Sequence, residues 1–178
     1  MKRRSLLLAG AMTSVLAMTG CSAPKVTDYA AQKPVLELRD YFNGTLDAHG
    51  IFTDRSGQVV KRFTVVMVCS WQGDQGVLDE TFSYSDGTTQ RRVWRLQSLA
   101  NGRFTGQADD VVGTAEGQQS GNAFHWTYTL ALPVDGRVIE VQFDDWMYLM
   151  TDKVMLNKAA MRKWGVGLGE VTLTFIKR

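Results

Sequence analysis

The sequence predicts a mainly β protein: one antiparallel up-and-down β-barrel of about eight to ten strands, with a short N-terminal helix and a short helix before the last strand. Three observations predict it. Between Gly44 and Lys153 no stretch carries the apolar period of a long helix. Short runs there alternate apolar and polar residues instead, which places successive side chains on opposite faces of a strand. Gly-containing turns separate the runs at short intervals, the pattern of a sandwich or a barrel. The meander order favours the barrel, because closure removes two edges otherwise open to pairing with other chains.

Residues 1–20 stand outside this fold. Lys2, Arg3 and Arg4 precede an apolar stretch, Ser5–Met18, that is too short and too quickly ended to be a permanent membrane span. It closes on Met18-Thr19-Gly20-Cys21, so residues 1–20 read as a signal peptide. Small residues directly before a cysteine resemble the lipobox of bacterial lipoproteins, with Met18 where Leu is usual. The resemblance implies that Cys21 is acylated and attaches the mature chain to a membrane. At ~0.8 kcal/mol per buried CH₂, several acyl chains hold a protein on a bilayer. By resemblance to enteric lipoproteins, Ser22 in place of Asp implies the periplasmic face of the outer membrane rather than the inner membrane.

Residues 21–33 are small, polar and Pro-containing, and read as a lipidated tether. Residues 34–178 read as a single barrel domain, with ample length for one core. Pro34–Asn43 carries Leu36, Leu38, Tyr41 and Phe42 at spacings that suit a short helical turn across the end of the fold. Strands follow at Thr45–Thr53, Gln58–Trp71, Val77–Tyr84, Gln90–Leu99, Arg103–Ala108, Val111–Gln118 and Ala123–Leu132. In the third, Leu78, Glu80, Phe82 and Tyr84 share one face. In the seventh, Phe124, Trp126, Tyr128 and Leu130 face one way and His125 the other. Ser85-Asp86-Gly87 is a strong hairpin signal, since Asp-Gly supplies the positive φ of primed turns. Val138–Phe143 runs into Val141–Thr151, read as the end of one strand and the start of the next. Val154–Trp164 reads as the late helix, with Asn157 as its cap, and Glu170–Ile176 as the last strand.

The chain has 20 basic and 18 acidic residues, and three of the basic ones lie in the leader, so the remainder is close to neutral. That argues against nucleic acid as a partner and against a polybasic membrane patch. With Cys21 lipidated, Cys69 stands alone in a β-branched run and reads as a buried, inert thiol.

The runs GxxxAxGxFxDRxG (Gly44–Gly57), LDETFSYSDGTTQRRVW (Leu78–Trp94), GNAFHWTYTLALPVDGR (Gly121–Arg137), FDDWMYLM (Phe143–Met150) and GVGLGEVTLTF (Gly165–Phe175) carry a family resemblance. Together they resemble an uncharacterised family of short Gram-negative lipoproteins, a domain of unknown function. The resemblance spans Gly44 to Phe175 and implies an envelope lipoprotein with a lipocalin-like (calycin) barrel.

Chemistry-bearing motifs are sparse. His49 and His125 lie in no GxSxG, HExxH or CxxC context, and two histidines do not make a three-His zinc site, so neither a metal nor another cofactor is expected. Gly165–Gly169 precedes a strand, and so offers no helix N-terminus to a phosphate. Asp144 and Asp145 are the best candidates for acid–base work, since paired carboxyls in a pocket can hold one raised pKa. Adjacent strand residues point to opposite faces, however. The bland reading pairs one Asp with Arg91, Arg92 or Arg95 and leaves the other in solvent.

Val111, Gly113, Ala115 and Gly117 set small side chains opposite Phe124, Trp126 and Tyr128. The contrast either fills the taper of a barrel, which is the favoured reading, or leaves a cavity of ~300–1,000 Å³. The resulting expectation is a non-catalytic, outer-membrane-anchored barrel that binds a small apolar or amphipathic ligand. Trp71, Trp94, Trp126, Tyr128, Trp146 and Tyr148 are its candidate walls, and Asp144 or Asp145 its polar anchor. The alternatives are a filled barrel serving as an envelope assembly partner, and a hydrolase using Asp144 and Asp145 on a lipid-like substrate.

Overall fold

In a computed structural model, described over residues 23–134 and 136–178, ten strands follow one another as a meander. They are β1 (Gly44–Asp54), β2 (Val59–Gln72), β3 (Gln75–Tyr84), β4 (Thr89–Ser98), β5 (Arg103–Gln107), β6 (Ala115–Ser120), β7 (Ala123–Val134), β8 (Arg137–Leu149), β9 (Val154–Lys163) and β10 (Val166–Lys177). Each pairs antiparallel with its sequence neighbours, and β10 pairs with β1 to close the barrel. The whole hydrogen-bonded ladder therefore lies within residues 44–177. Signal peptide and Cys21 fall outside the described residues.

Period-two alternation sets the register. Phe63, Val65, Met67 and Cys69 of β2 are buried, while Arg62, Thr64, Val66, Val68 and Ser70 between them are exposed. At the Asp86 hairpin, Gly87 takes φ +84°, and Asp86 Oδ1 accepts hydrogen bonds from the Thr88 amide and hydroxyl. Large inward rings need glycine opposite. A Cβ on Gly106 would lie 2.8 Å from Leu96 and 3.0 Å from the Trp126 ring, and one on Gly117 would run into Trp126 and Phe124.

One end of the barrel is plugged. The single-turn helix α1 (Leu38–Tyr41) lies across it with Leu36, Leu38, Tyr41 and Phe42 buried. Phe42 meets Phe175 edge-on at 5.2 Å, and the Tyr41 hydroxyl reaches the carbonyls of Phe175 and Lys153 at 3.1 Å each.

Three sequence expectations change. Val154–Trp164 is no helix: β9 occupies it, and Met155, Asn157 and Ala159 point inward. Backbone pairing with β8 and β10 outweighs the helix propensity of its Ala, Lys and Met residues. Val141–Thr151 does not divide between two strands; through Leu149 it is the second half of the continuous β8. The strand expected at Val111–Gln118 begins only at Ala115, because Gly113 takes φ +76° and bends the chain; Val111 makes an isolated bridge to Leu130.

The segment before α1 is also more ordered than a free tether. Val26–Tyr29 forms a 3-10 turn with Val26 buried, and this strap lies against β6 and β7. The Leu36 amide donates to the Gly121 carbonyl at 2.8 Å, and the Tyr29 carbonyl sits where a Cβ on Gly121 would be.

Candidate functional site

The interior is not wholly filled. A cavity of about 180 Å³ runs from Met147 and Phe175, near α1, to the partly exposed Phe52, Tyr84, Leu132 and Leu173 at the opposite end. It is smaller than the ~300–1,000 Å³ usual for ligand sites. Aromatic and aliphatic side chains make most of its wall, but Glu80, Gln90, Arg92, Tyr128, Asp145 and Asn157 also face it.

Strand alternation places Asp145 inside and Asp144 outside. Asp145 is 5% exposed and accepts hydrogen bonds from Tyr128 Oη (3.0 Å), Trp126 Nε1 (3.4 Å) and Asn157 Nδ2. Burial raises its pKa to about 6 against the pull of those three donors. Tyr128 is pushed well above its ordinary value, by burial first and by the Asp145 charge second. Across the lumen, burial raises Glu80 to about 7, with Arg92 opposing the shift. Arg92 bonds Asp110 through Nε and Nη2 at 2.7–3.0 Å, while its Nη1 stays 3.9 Å from Glu80.

On the outer wall, Asp144 accepts from Trp146 Nε1 (3.0 Å) and shares a hydrogen bond with His125 Nε2 (2.9 Å). The His125 ring stacks on Trp146 at 4.1 Å, and Tyr29 of the strap packs on Trp146 and Tyr148.

The expected site residues therefore divide. Trp94, Trp126, Tyr128 and Asp145 come together on the cavity wall, with Trp94 and Trp126 4.7 Å apart. Asp144, Trp146 and Tyr148 do not line it; they belong to the outer cluster. Trp71 lies beneath α1, where Nε1 donates to the Phe42 carbonyl at 2.8 Å. The expected arginine partners are also different: Arg91 pairs with Asp79, Arg92 with Asp110 and Arg95 with Asp109. Cys69 is buried, and that burial pushes its thiol to about 12, so it is unreactive.

Three polar wall residues, Glu80, Arg92 and Asn157, and Asp110 behind Arg92, are not among the site residues the sequence points to. Glu80 had a signal, a carboxyl between Leu78 and Phe82 on the apolar face of its strand, and Arg92 shares a face with Trp94. Asn157 was hidden by the helix reading. Asp110 lies in an irregular segment, where no periodicity points to it.

Fold and site together define a closed antiparallel β-barrel with a small, mostly apolar interior cavity that carries a few ionisable groups on its wall. Residues 15–177 match the family model described as "Protein of unknown function (DUF3833)", and the chain belongs to that family. No curated protein matches the sequence. Among solved structures it is similar to the S-type phycobiliprotein lyase CPES from Guillardia theta, at TM-score 0.63 and 8% identity over 87% of this chain and 98% of that one. It is also similar to a protein of unknown function from the DUF3598 family of Nostoc punctiforme, at TM-score 0.56 and 11% identity over 83% of this chain. The chain spans about half (51%) of that second structure. Identities this low establish a shared barrel fold.

Proposed function

We propose that this protein is a lipid-anchored barrel of the cell envelope that holds one small amphipathic molecule in its interior. The observation that carries the reading is the 180 Å³ cavity, with ionisable groups on its wall where packing alone would place apolar ones. The barrel likeness to a phycobiliprotein lyase is compatible with handling a small molecule, although it speaks for the fold alone. Native mass spectrometry of the chain from Ser22 onward, secreted behind a cleavable leader into the periplasm of a Gram-negative host, tests it. A stoichiometric small-molecule adduct is expected; bare protein in every preparation would refute the reading.

The anchor reading draws on the basic, apolar and Met18–Cys21 segments in series, and the family match begins at residue 15 and so includes that cysteine. Cys21 is only four residues before Lys25, where the strap begins. At a maximum of about 3.5 Å per residue, that leash can reach at most ~14 Å, which would keep the β6–β7 wall near the bilayer. Ser22 favours the outer membrane. Cys21→Ser should release the protein from the membrane fraction, and retention there would contradict the anchor.

One observation favours an assembly role as a second reading. Val59, Val60, Val138, Trp164 and Val166 are exposed at hairpins around the end opposite α1, and Trp164 is 87% exposed. Crosslinking at Trp164 in intact envelopes should then capture one defined protein. A hydrolytic Asp144–Asp145 pair gains no support, because the two carboxyls face opposite sides of β8.

A further inference from the structure

The cavity wall carries more negative charge than its own cation neutralises. Two carboxyls, Glu80 and Asp145, face the lumen with the guanidinium of Arg92, and a third, Asp110, lies behind that guanidinium. That guanidinium is committed, since two of its nitrogens bond Asp110. Asp145 is satisfied by three donors, yet Trp126, Tyr128 and Asn157 are all neutral and leave its charge uncompensated. Glu80 stands out most. It is 9% exposed, lies on the lumen between Leu78 and Phe82, and its carboxyl accepts no hydrogen bond among the described residues. Its nearest cation is Arg92 Nη1 at 3.9 Å. A side chain placed there for stability alone would be apolar, because an unbonded buried carboxyl costs free energy that Leu or Met would not.

We propose that the cavity binds a small primary amine with an apolar body, its ammonium on Glu80 and its body among the rings of Phe63, Phe82, Trp94 and Trp126. This deepens the ligand-holding reading above and rests on it. An ammonium donates charge-assisted hydrogen bonds to the carboxyl that lacks them and offsets the surplus charge shared with Asp145. Aromatic faces next to it favour a cation further. A carboxylate of the same size would meet like charge at Glu80 and Asp145, so the wall selects against acids as well as for amines. The volume sets the size. About 180 Å³, below the ~300–1,000 Å³ usual for ligand sites, suits a single short chain or one ring rather than a membrane lipid.

Three six-carbon probes with the same tail and different heads decide the matter: hexylamine, hexanol and hexanoate. They are titrated by calorimetry and tryptophan fluorescence into the chain from Ser22 onward, which carries every strand of the closed ladder and α1. At about pH 8 hexylamine should bind about tenfold tighter than hexanol, with hexanoate weakest. Glu80→Gln should remove most of the amine preference and Asp145→Asn part of it. Hexanol or hexanoate matching hexylamine would overturn the amine inference while leaving a ligand-holding cavity intact. No binding by any of the three would overturn both. Should either variant fail to fold, the three-probe ranking on the unmodified protein still decides.

Discussion

On the inner face of β8, Asp145 sits 5% exposed among Trp126, Tyr128 and Asn157. On the outer face, one residue earlier, the Asp144 side chain is 51% exposed and bonded to His125 and Trp146. The residue types are nearly the same: a carboxyl, a tryptophan that donates to it, a tyrosine nearby. Their surroundings differ. Outside, water screens the carboxyl and the aromatic rings dock the strap; inside, burial raises the carboxyl to about 6 and the rings bound a cavity. The face of the strand, rather than the residue, decides which carboxyl has unusual chemistry.

The largest test of that contrast exchanges one tryptophan on each side. Trp126→Ala opens space around Trp94 and Phe124 and should cost about 3–5 kcal/mol in urea unfolding. Trp146→Ala should cost about 1 kcal/mol, because its ring is partly exposed and stacks only at the surface. Equal losses would mean that the outer cluster is as integral to the fold as the inner one.

The pH dependence comes next. Folded Glu80 holds its proton to about pH 7, whereas an unfolded glutamate loses it near 4.5, so between those values the folded state binds more protons. Stability must therefore fall as pH rises through that window, by on the order of 3 kcal/mol at one pKa unit per 1.36 kcal/mol. Asp145, raised from 3.8 to about 6, acts in the same direction. The groups facing Glu80 are Arg92 from β4, Asp145 from β8, Tyr128 from β7 and Asp110 behind Arg92. Chemical unfolding from pH 4 to 8 should show the decline, and Glu80→Gln should flatten about half of it, with Asp145 carrying the rest. A rise in stability over the same range would show that both interior acids are ionised and well paired.

Smaller effects sharpen the outer side. Gly121→Ala places a Cβ against the Tyr29 carbonyl at φ +55°, and should cost ~1–2 kcal/mol while lifting the strap. Hydrogen exchange should then speed up across residues 26–36 and stay unchanged in β8. Tyr29→Phe loses only a 3.4 Å contact with the Tyr148 hydroxyl, and should change stability by less than about 0.5 kcal/mol.

Most of the barrel was legible because alternation survives in sequence wherever a wall has one wet and one dry face, as in Phe63 through Trp71 or Phe124 through Leu130. It failed at β9, where the inward residues Met155, Asn157 and Ala159 include a polar and a small one. The period of two was masked there, and helix-forming Ala, Lys and Met filled the gap. The same error concealed Asn157, the donor to Asp145. Half of the expected cavity wall was legible for the same reason as the strands. Trp146 and Tyr148 were assigned to the wall by residue type, whereas their even positions on β8 put them outside with Asp144. The partnership of Arg92 with Asp110 joins β4 to an irregular loop, and no local pattern encodes it.

The central claim is that the space beside Glu80 holds a molecule. The most direct measurement is a high-resolution crystal structure of the protein purified from a Gram-negative envelope with no ligand added. One continuous density is expected in the cavity, with a polar end within hydrogen-bond distance of Glu80. Separate waters, or apolar side chains collapsed into that space, would contradict it.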